Sequence, residues 1–296
     1  MIDSAEQLKL FHLCTRGKDN GPIYFSDADY LKSLDITGIC SSSLKINVEA
    51  YCLMSNHIHW VLAAYDKKDI EKFALRFKKI YSLYLNRQYS LKGFFKRVDN
   101  TIKEIDSIPY FKNCIAYVLR NPVESGMVKN ADQYLWSSYR FYFSDNFYPE
   151  GTRPATSFRK RPLMDLLGTH IDLTSSKLMI SKEGNVHPCS FLDIPLVRSV
   201  FDNSLENLVK YVMKVDYFTM EYDMLFSGRM RLPDYQVLKI ASDIAAEWFK
   251  KCLDALDIRE RLKLVKVLKS RCGANGAQIS RVLSLDRNVV LEIMRR

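Results

Sequence analysis

The strongest constraint on this chain lies in its first 120 residues, where two β-type runs are separated by only two residues. Lys45 to Met54 and His57 to Ala63 are rich in aliphatic, β-branched and aromatic side chains and meet at Ser55-Asn56, which leaves room only for a tight hairpin. Upstream, Leu8 to Thr15 reads as a strand, ended by the turn-rich Arg16-Gly17-Lys18-Asp19-Asn20-Gly21-Pro22. Ser26-x-x-Asp29, in capping position, opens a short helix to about Leu34. Between Asp66 and Tyr89, Ile70, Phe73, Phe77, Ile80 and Tyr84 recur at helical spacing, with Lys68, Lys72, Arg76 and Lys79 as a second stripe. Phe94 to Ile105 offers a fourth strand. A helix from about Ser107 to Arg120 follows and stops near Asn121-Pro122, because the residue before proline avoids the helical region. The order β-α-β-β-α-β predicts an α+β architecture: a ferredoxin-like four-stranded antiparallel sheet with helices on one face and the other face open.

Beyond this segment the pattern becomes mostly helical. Residues 146–162 hold three prolines, Gly151 and Arg159-Lys160-Arg161, a composition that suggests a linker after a first domain of residues 1–145. Residues 163–255 contain helical patterns at Val197 to Met213 and Gln236 to Phe249 but no interpretable motif. In residues 256–296, Ile258 to Arg271, Gly276 to Leu283 and Asp286 to Arg295 read as three short helices. The connection Ser284-Leu285-Asp286 has helix-turn-helix length, with Asp286 as the N-cap of the last helix. Ile279, Val282, Leu283, Val289, Val290 and Ile293 would form the core of that module.

Charge says what such a chain would meet. The 296 residues carry 44 Lys and Arg against 34 Asp and Glu, and the surplus is clustered. Lys67 to Arg97 has a net charge of +8 and Arg259 to Arg296 of +7, so the other residues sum to −5. Two basic blocks point to a polyanion more than one would, although each alone would be the solvated face of a helix. Hydrophobic residues make up 47% of the chain, enough to bury a core and to argue against disorder. No apolar run approaches the roughly 20 residues that a spanning helix needs. The opening Met1-Ile2-Asp3-Ser4-Ala5-Glu6-Gln7 has neither a basic nor an apolar leader region, and a cytoplasmic address is expected. Seven scattered cysteines, never spaced C-x-x-C, read as buried free thiols and not as a disulfide framework or zinc ribbon.

Two constellations carry possible chemistry. His57-Ile58-His59 lies in a strand run, so both imidazoles project from one sheet face, a geometry suited to a divalent metal; the bland reading is a polar pair on an open face. Tyr117 and Asn121 stand four apart on a helix and share a face. A phenol can be a nucleophile and an amide oxygen a ligand for a hard cation; the bland reading is a packed aromatic and a helix C-cap. His12, His170 and His187 lack partners at ligand spacing and are read as satisfied or solvent-exposed.

Met54-Ser55-Asn56-His57-Ile58-His59-Trp60-Val61-Leu62, Tyr117-Val118-Leu119-Arg120-Asn121-Pro122-Val123-Glu124-Ser125-Gly126-Met127-Val128 and Tyr134-Leu135-Trp136-Ser137-Ser138-Tyr139-Arg140 resemble, in order and spacing, the single-tyrosine (HUH, Y1) transposases of the IS200/IS605 type. The REP-associated tyrosine transposases are the most similar. The resemblance covers roughly residues 8 to 143 and includes Gly93-Phe94-Phe95-x-Arg97. Ser55, Trp60, Leu119 and Arg120 depart from the residues usual in the family, with Arg120 standing beside a proposed ligand.

The resemblance implies a bacterial, cytoplasmic DNA endonuclease with strand-transfer activity, associated with the nucleoid when bound. His57, His59 and Asn121 would hold Mg²⁺ or Mn²⁺, and Tyr117 would attack phosphorus to give a 5′-phosphotyrosine and a free 3′-OH. The substrate would be single-stranded DNA folded into a hairpin or palindromic repeat, met by a monomer or homodimer. Lys68, Lys72, Arg76, Lys79 and Arg97 would hold the cut strand, with Tyr81, Tyr89, Phe94 and Phe95 as stacking candidates. Arg287, Asn288 and Arg295 would contact bases or phosphates from the terminal module. The alternative is a catalytically inactive, domesticated DNA-binding regulator on the same scaffold. A relaxase-like nickase shares the logic but fits the Tyr117 and Trp136 motifs less well.

Overall fold

A computed structural model describes residues 8–16, 21–95, 100–144, 148–215, 220, 234–272, 274 and 276–295. The chain divides into two units, Met1–Met220 and Glu221–Arg296. The first is built on a four-stranded antiparallel sheet of β1 (Lys9–Arg16), β2 (Asn47–Leu53), β3 (His57–Ala64) and β4 (Asn100–Ile105), in the order β2-β3-β1-β4. That is the expected ferredoxin-like order. The hairpin closes as expected at Ser55-Asn56, with Met54 N donating to the carbonyl of His57 at 2.8 Å.

Helices α1 (Asp27–Leu44) and α2 (Lys67–Tyr89) cover one face. Trp60 of β3 drives edge contacts into Phe73 and Phe77 of α2. Helix α1 opens with the Ser26/Asp29 capping box but runs ten residues beyond Leu34. Its second half buries Ile36, Ile39 and Cys40 without an amphipathic stripe, because the helix is packed on several sides. Gly38 shows how close the packing is: a Cβ there would lie 2.7 Å from Val186 Cγ1 and 2.9 Å from Phe191 Cδ1.

The other sheet face, expected to stay open, carries α3 (Ile108–Glu124). This helix also runs through Pro122, which was expected to end it. The proline sits in the last turn, where few N–H groups are still required, and Asn121 Nδ2 donates to the Tyr117 carbonyl at 2.8 Å in the same turn. Strand β4 is shorter than the run from Phe94: Phe94 and Phe95 lie in a turn before it.

The third sequence motif closes the sheet edge. Ser137 bridges Cys52, Leu53 N donates to the Trp136 carbonyl at 2.9 Å, and Ser138 Oγ accepts from Tyr51 N at 3.0 Å. The Tyr134 and Tyr142 hydroxyls donate to the carbonyls of Leu53 and Glu49, both at 2.7 Å. These bonds occupy the backbone groups an edge strand would otherwise expose. Farther along the same edge, Asp193 N donates to the Val48 carbonyl at 2.9 Å.

Residues 148–162, the described part of the segment read from composition as a linker, belong to the first unit by contact. They include β5 (Arg153–Pro154), paired with β6 (Met179–Ile180), and lead into α4 (Lys160–Leu167), with Ala155 fully buried. The pattern from Val197 to Met213 is two helices, α5 (Ile194–Val200) and α6 (Leu205–Lys214). They are separated where Asp202 and Asn203 take left-handed φ of 57° and 53°.

The second unit contains α7 (Asp234–Phe249), α8 (Ile258–Cys272), α9 (Gly276–Leu283) and α10 (Arg287–Arg295) around Val237, Leu264, Leu268, Ile279, Leu283 and Val290. Asp286 Oδ1 accepts from Asn288 N at 2.8 Å, the expected N-cap of the last helix. Ser284 adopts φ 52° in the connecting turn, a conformation for which glycine is the usual choice. Val289, expected in this core, is 41% exposed. No described helix is long and apolar enough to cross a membrane.

Candidate active site

Strand alternation decides which side chains meet. In β3, Trp60 points to α2, so His57 and His59 point to the α3 face. Register adds neighbours from the adjacent strands: Cys14 lies opposite His59, His12 opposite Val61, and Lys103 of β4 opposite His12. The His57 and His59 rings stand edge to face with centroids 4.8 Å apart.

Helix α3 brings Tyr117 onto this pair. Its ring is 5.5 Å from that of His59 and 6.0 Å from that of His12, both edge-on. Tyr117 and Asn121 are 1% and 2% exposed, and α3 starts with Ser107 Oγ accepting from Tyr110 N. Phe111, Cys114, Ile115 and Val118 are buried on the same helix, which fixes its rotation about its axis. The structure therefore brings Tyr117 to the histidines and places Asn121 one turn farther along α3.

The Nδ1 atoms of both histidines are engaged. His57 Nδ1 lies 2.6 Å from Asn56 Oδ1, and His59 Nδ1 lies 2.9 Å from His12 Nε2. A metal would therefore be taken at Nε2 of each ring. Two imidazoles and an amide oxygen are donor types that suit a divalent cation and would leave positions for phosphate oxygens. Among the described residues no group of three or more His, Cys, Asp or Glu side chains is placed to hold a metal ion.

Sequence spacing predicts a satisfied or solvent-exposed histidine at His12. It is fully buried in this cluster, and burial, with Lys103 and His57 adding to it, pushes its pKa down to about 3. The signal lay in strand phase: His12 is even-numbered on β1 and shares a face with Cys14. That shows only once the β1–β3 register is known. Arg120, beside Asn121, is directed elsewhere: its Nε donates to Glu124, and its Nη1 donates to the carbonyls of Val212, at 3.1 Å, and Met213 at the end of α6.

The basic stripe is not part of this constellation. Lys68, Lys72, Arg76 and Lys79 are on α2, across the sheet from His57 and His59. Lys68 and Lys79 are exposed, Lys72 pairs with Asp69 at 2.8 Å, and Arg76 donates to Ser43 Oγ at 2.8 Å. Of the stacking candidates, Tyr81 and Phe95 are core residues, and the Tyr89 hydroxyl donates to Asp29. Arg97 lies outside the described residues, and so does the Arg295 side chain. Arg287 and Asn288 are exposed at the start of α10.

No curated protein matches the chain. Among solved structures, one of a REP-associated tyrosine transposase bound to a REP hairpin is similar at 13% identity. It covers 48% of this chain and 82% of that one, with a TM-score of 0.36. Residues 9–98 match the family model described as transposase, IS200-like. That match spans β1 to α2 and includes His12, His57 and His59, whereas Tyr117 and Asn121 lie beyond it. Over residues 9–98 the chain is similar to the IS200-like transposases.

Proposed function

We propose that the chain is a tyrosine transposase of the IS200 type that nicks and rejoins single-stranded hairpin DNA through Tyr117. The single observation that carries the reading is the approach of the Tyr117 ring to within 5.5 Å of His59, on a fold whose first strands match that family. His57, His59 and Asn121 would hold Mg²⁺ or Mn²⁺. The bound ion would supply Lewis-acid polarisation of the scissile phosphate.

Tyr117 Oη attacks phosphorus and gives up its proton, the P–O3′ bond breaks, and the departing 3′ oxygen takes up a proton. The product is a 5′-phosphotyrosine and a free 3′-OH. Because the ester retains the bond energy, attack by a second 3′-OH restores the phosphodiester and releases the phenol. With Tyr117 at 1% exposure, its hydroxyl has to become accessible before a DNA strand can reach it, a gating step of a common kind.

Incubation with a hairpin-bearing single-stranded oligonucleotide and Mg²⁺ or Mn²⁺ should attach the protein covalently to a 5′ end. The adduct should vanish in Tyr117→Phe; its persistence would remove Tyr117 from the role. The same burial favours a second reading, a DNA-binding regulator that no longer cuts. That reading requires hairpin binding unaffected by metal and no strand breakage in the wild type.

A further inference from the structure

We infer that His12 is a positioning residue for this chemistry: its Nε2 accepts the Nδ1–H of His59 and so keeps the lone pair of His59 on Nε2, the nitrogen a metal would use. The inference rests on the reading of His57 and His59 as ligands. Three observations carry it. The His12–His59 contact is 2.9 Å between ring nitrogens, with the rings stacked at 24° and centroids 5.1 Å apart. His12 is fully buried on an interior strand hydrogen-bonded on both sides, so it cannot swing away as a surface residue would. The third observation is a parallel at His57: Nδ1 of that ring meets Asn56 Oδ1 at 2.6 Å, and an amide oxygen can only accept.

The two histidines therefore receive matching support from unlike sources. Asn56 fixes the proton on His57 from the hairpin turn, and His12, accepting at Nε2 with its own proton on a buried Nδ1 that has no partner among the described residues, would hold it on His59 from the neighbouring strand. A neutral imidazole carries one N–H and one lone pair, so the partner at one nitrogen decides what the other can do. Groups that hold a ligand histidine in this way commonly change metal affinity roughly 10- to 100-fold when removed.

The test is calorimetric titration of Mn²⁺ into the full chain, comparing wild type, His12→Leu and His12→Gln. The leucine variant should bind roughly 10- to 100-fold more weakly, and the glutamine variant, whose amide oxygen accepts a hydrogen bond, should recover most of the loss. Equal affinity in wild type and His12→Leu overturns the inference and leaves the proposed function intact. Absence of Mn²⁺ binding by the wild type overturns the ligand reading itself. Long-range ¹H–¹⁵N correlation on the wild type saturated with Mg²⁺ keeps the idea testable even if the variants misfold. His12 should be protonated at Nδ1 and bare at Nε2, and the reverse tautomer overturns the inference.

Discussion

Glu49→Gln should change the pH dependence of stability by an amount that can be worked out from the structure. Glu49 sits in β2 where the register slips between Val48 and Ala50, the position of a β-bulge, and it is fully buried. Neither carboxyl oxygen has a hydrogen-bond partner among the described residues. Burial, and then the charge of Asp193, pushes its pKa from 4.5 up to about 9, so the folded protein keeps Glu49 protonated at pH 7 while the unfolded chain ionises it. A folded-state pKa above the unfolded value stabilises fully below about pH 4.5 and loses that contribution as pH rises toward 9. At ~1.4 kcal/mol per unit, the loss between pH 4.5 and 7 is about 3 kcal/mol.

The glutamine variant has nothing to titrate there. Its stability relative to wild type should climb by about 3 kcal/mol over the same interval. Urea unfolding of both proteins at half-unit steps from pH 4.5 to 8 measures this, and the difference cancels every other titrating group. A difference curve flat to within ~0.5 kcal/mol would show that Glu49 is solvated or paired and refute the reasoning.

Other expectations are independent of this one. Gly38→Ala should cost about 1–3 kcal/mol in thermal or chemical unfolding, because its methyl would overlap Val186 and Phe191, and an unchanged midpoint would mean that segment yields freely. Arg120→Ala removes the bonds to the end of α6 and should raise amide exchange in both α3 and α6; protection equal to wild type would show that Arg120 does not tie them together. Lys68→Ala and Lys79→Ala should each reduce the salt slope of hairpin binding by about 1 if they touch phosphate, while an unaltered slope would assign them to solvent alone. Asp35, whose pKa burial pushes up to about 6, holds Val186 N at 2.7 Å. Its stabilising contribution is complete below its ordinary value of 3.8 and fades as pH rises through 6. Asp35→Asn should therefore flatten that part of the stability profile, and an unchanged profile would contradict the assignment.

Elements set by local pattern were readable from the chain. The Ser55-Asn56 hairpin, the period of α2 and the capping residues Ser26 and Asp286 all act over a few residues, and each was found where its pattern put it. The structure departs from local pattern where distant packing overrides local preference. Helix α1 extends through Thr37, Gly38 and a run of serines because the sheet and residues 186–191 surround it. Pro122 stays helical because it falls in a final turn held by Asn121.

The same division runs through the site. Sequence alone put His57 and His59 on one face, because side chains in a strand alternate by geometry, and put Tyr117 with Asn121, because four residues make about one helical turn. It could not say which layer each face would meet. The tertiary structure set α3 over the histidines and the basic stripe of α2 on the far side of the sheet, and it drew His12 across the β1–β3 register onto His59. Those outcomes depend on strand pairing between residues 47 apart in the chain, and no spacing within a single segment encodes such a contact.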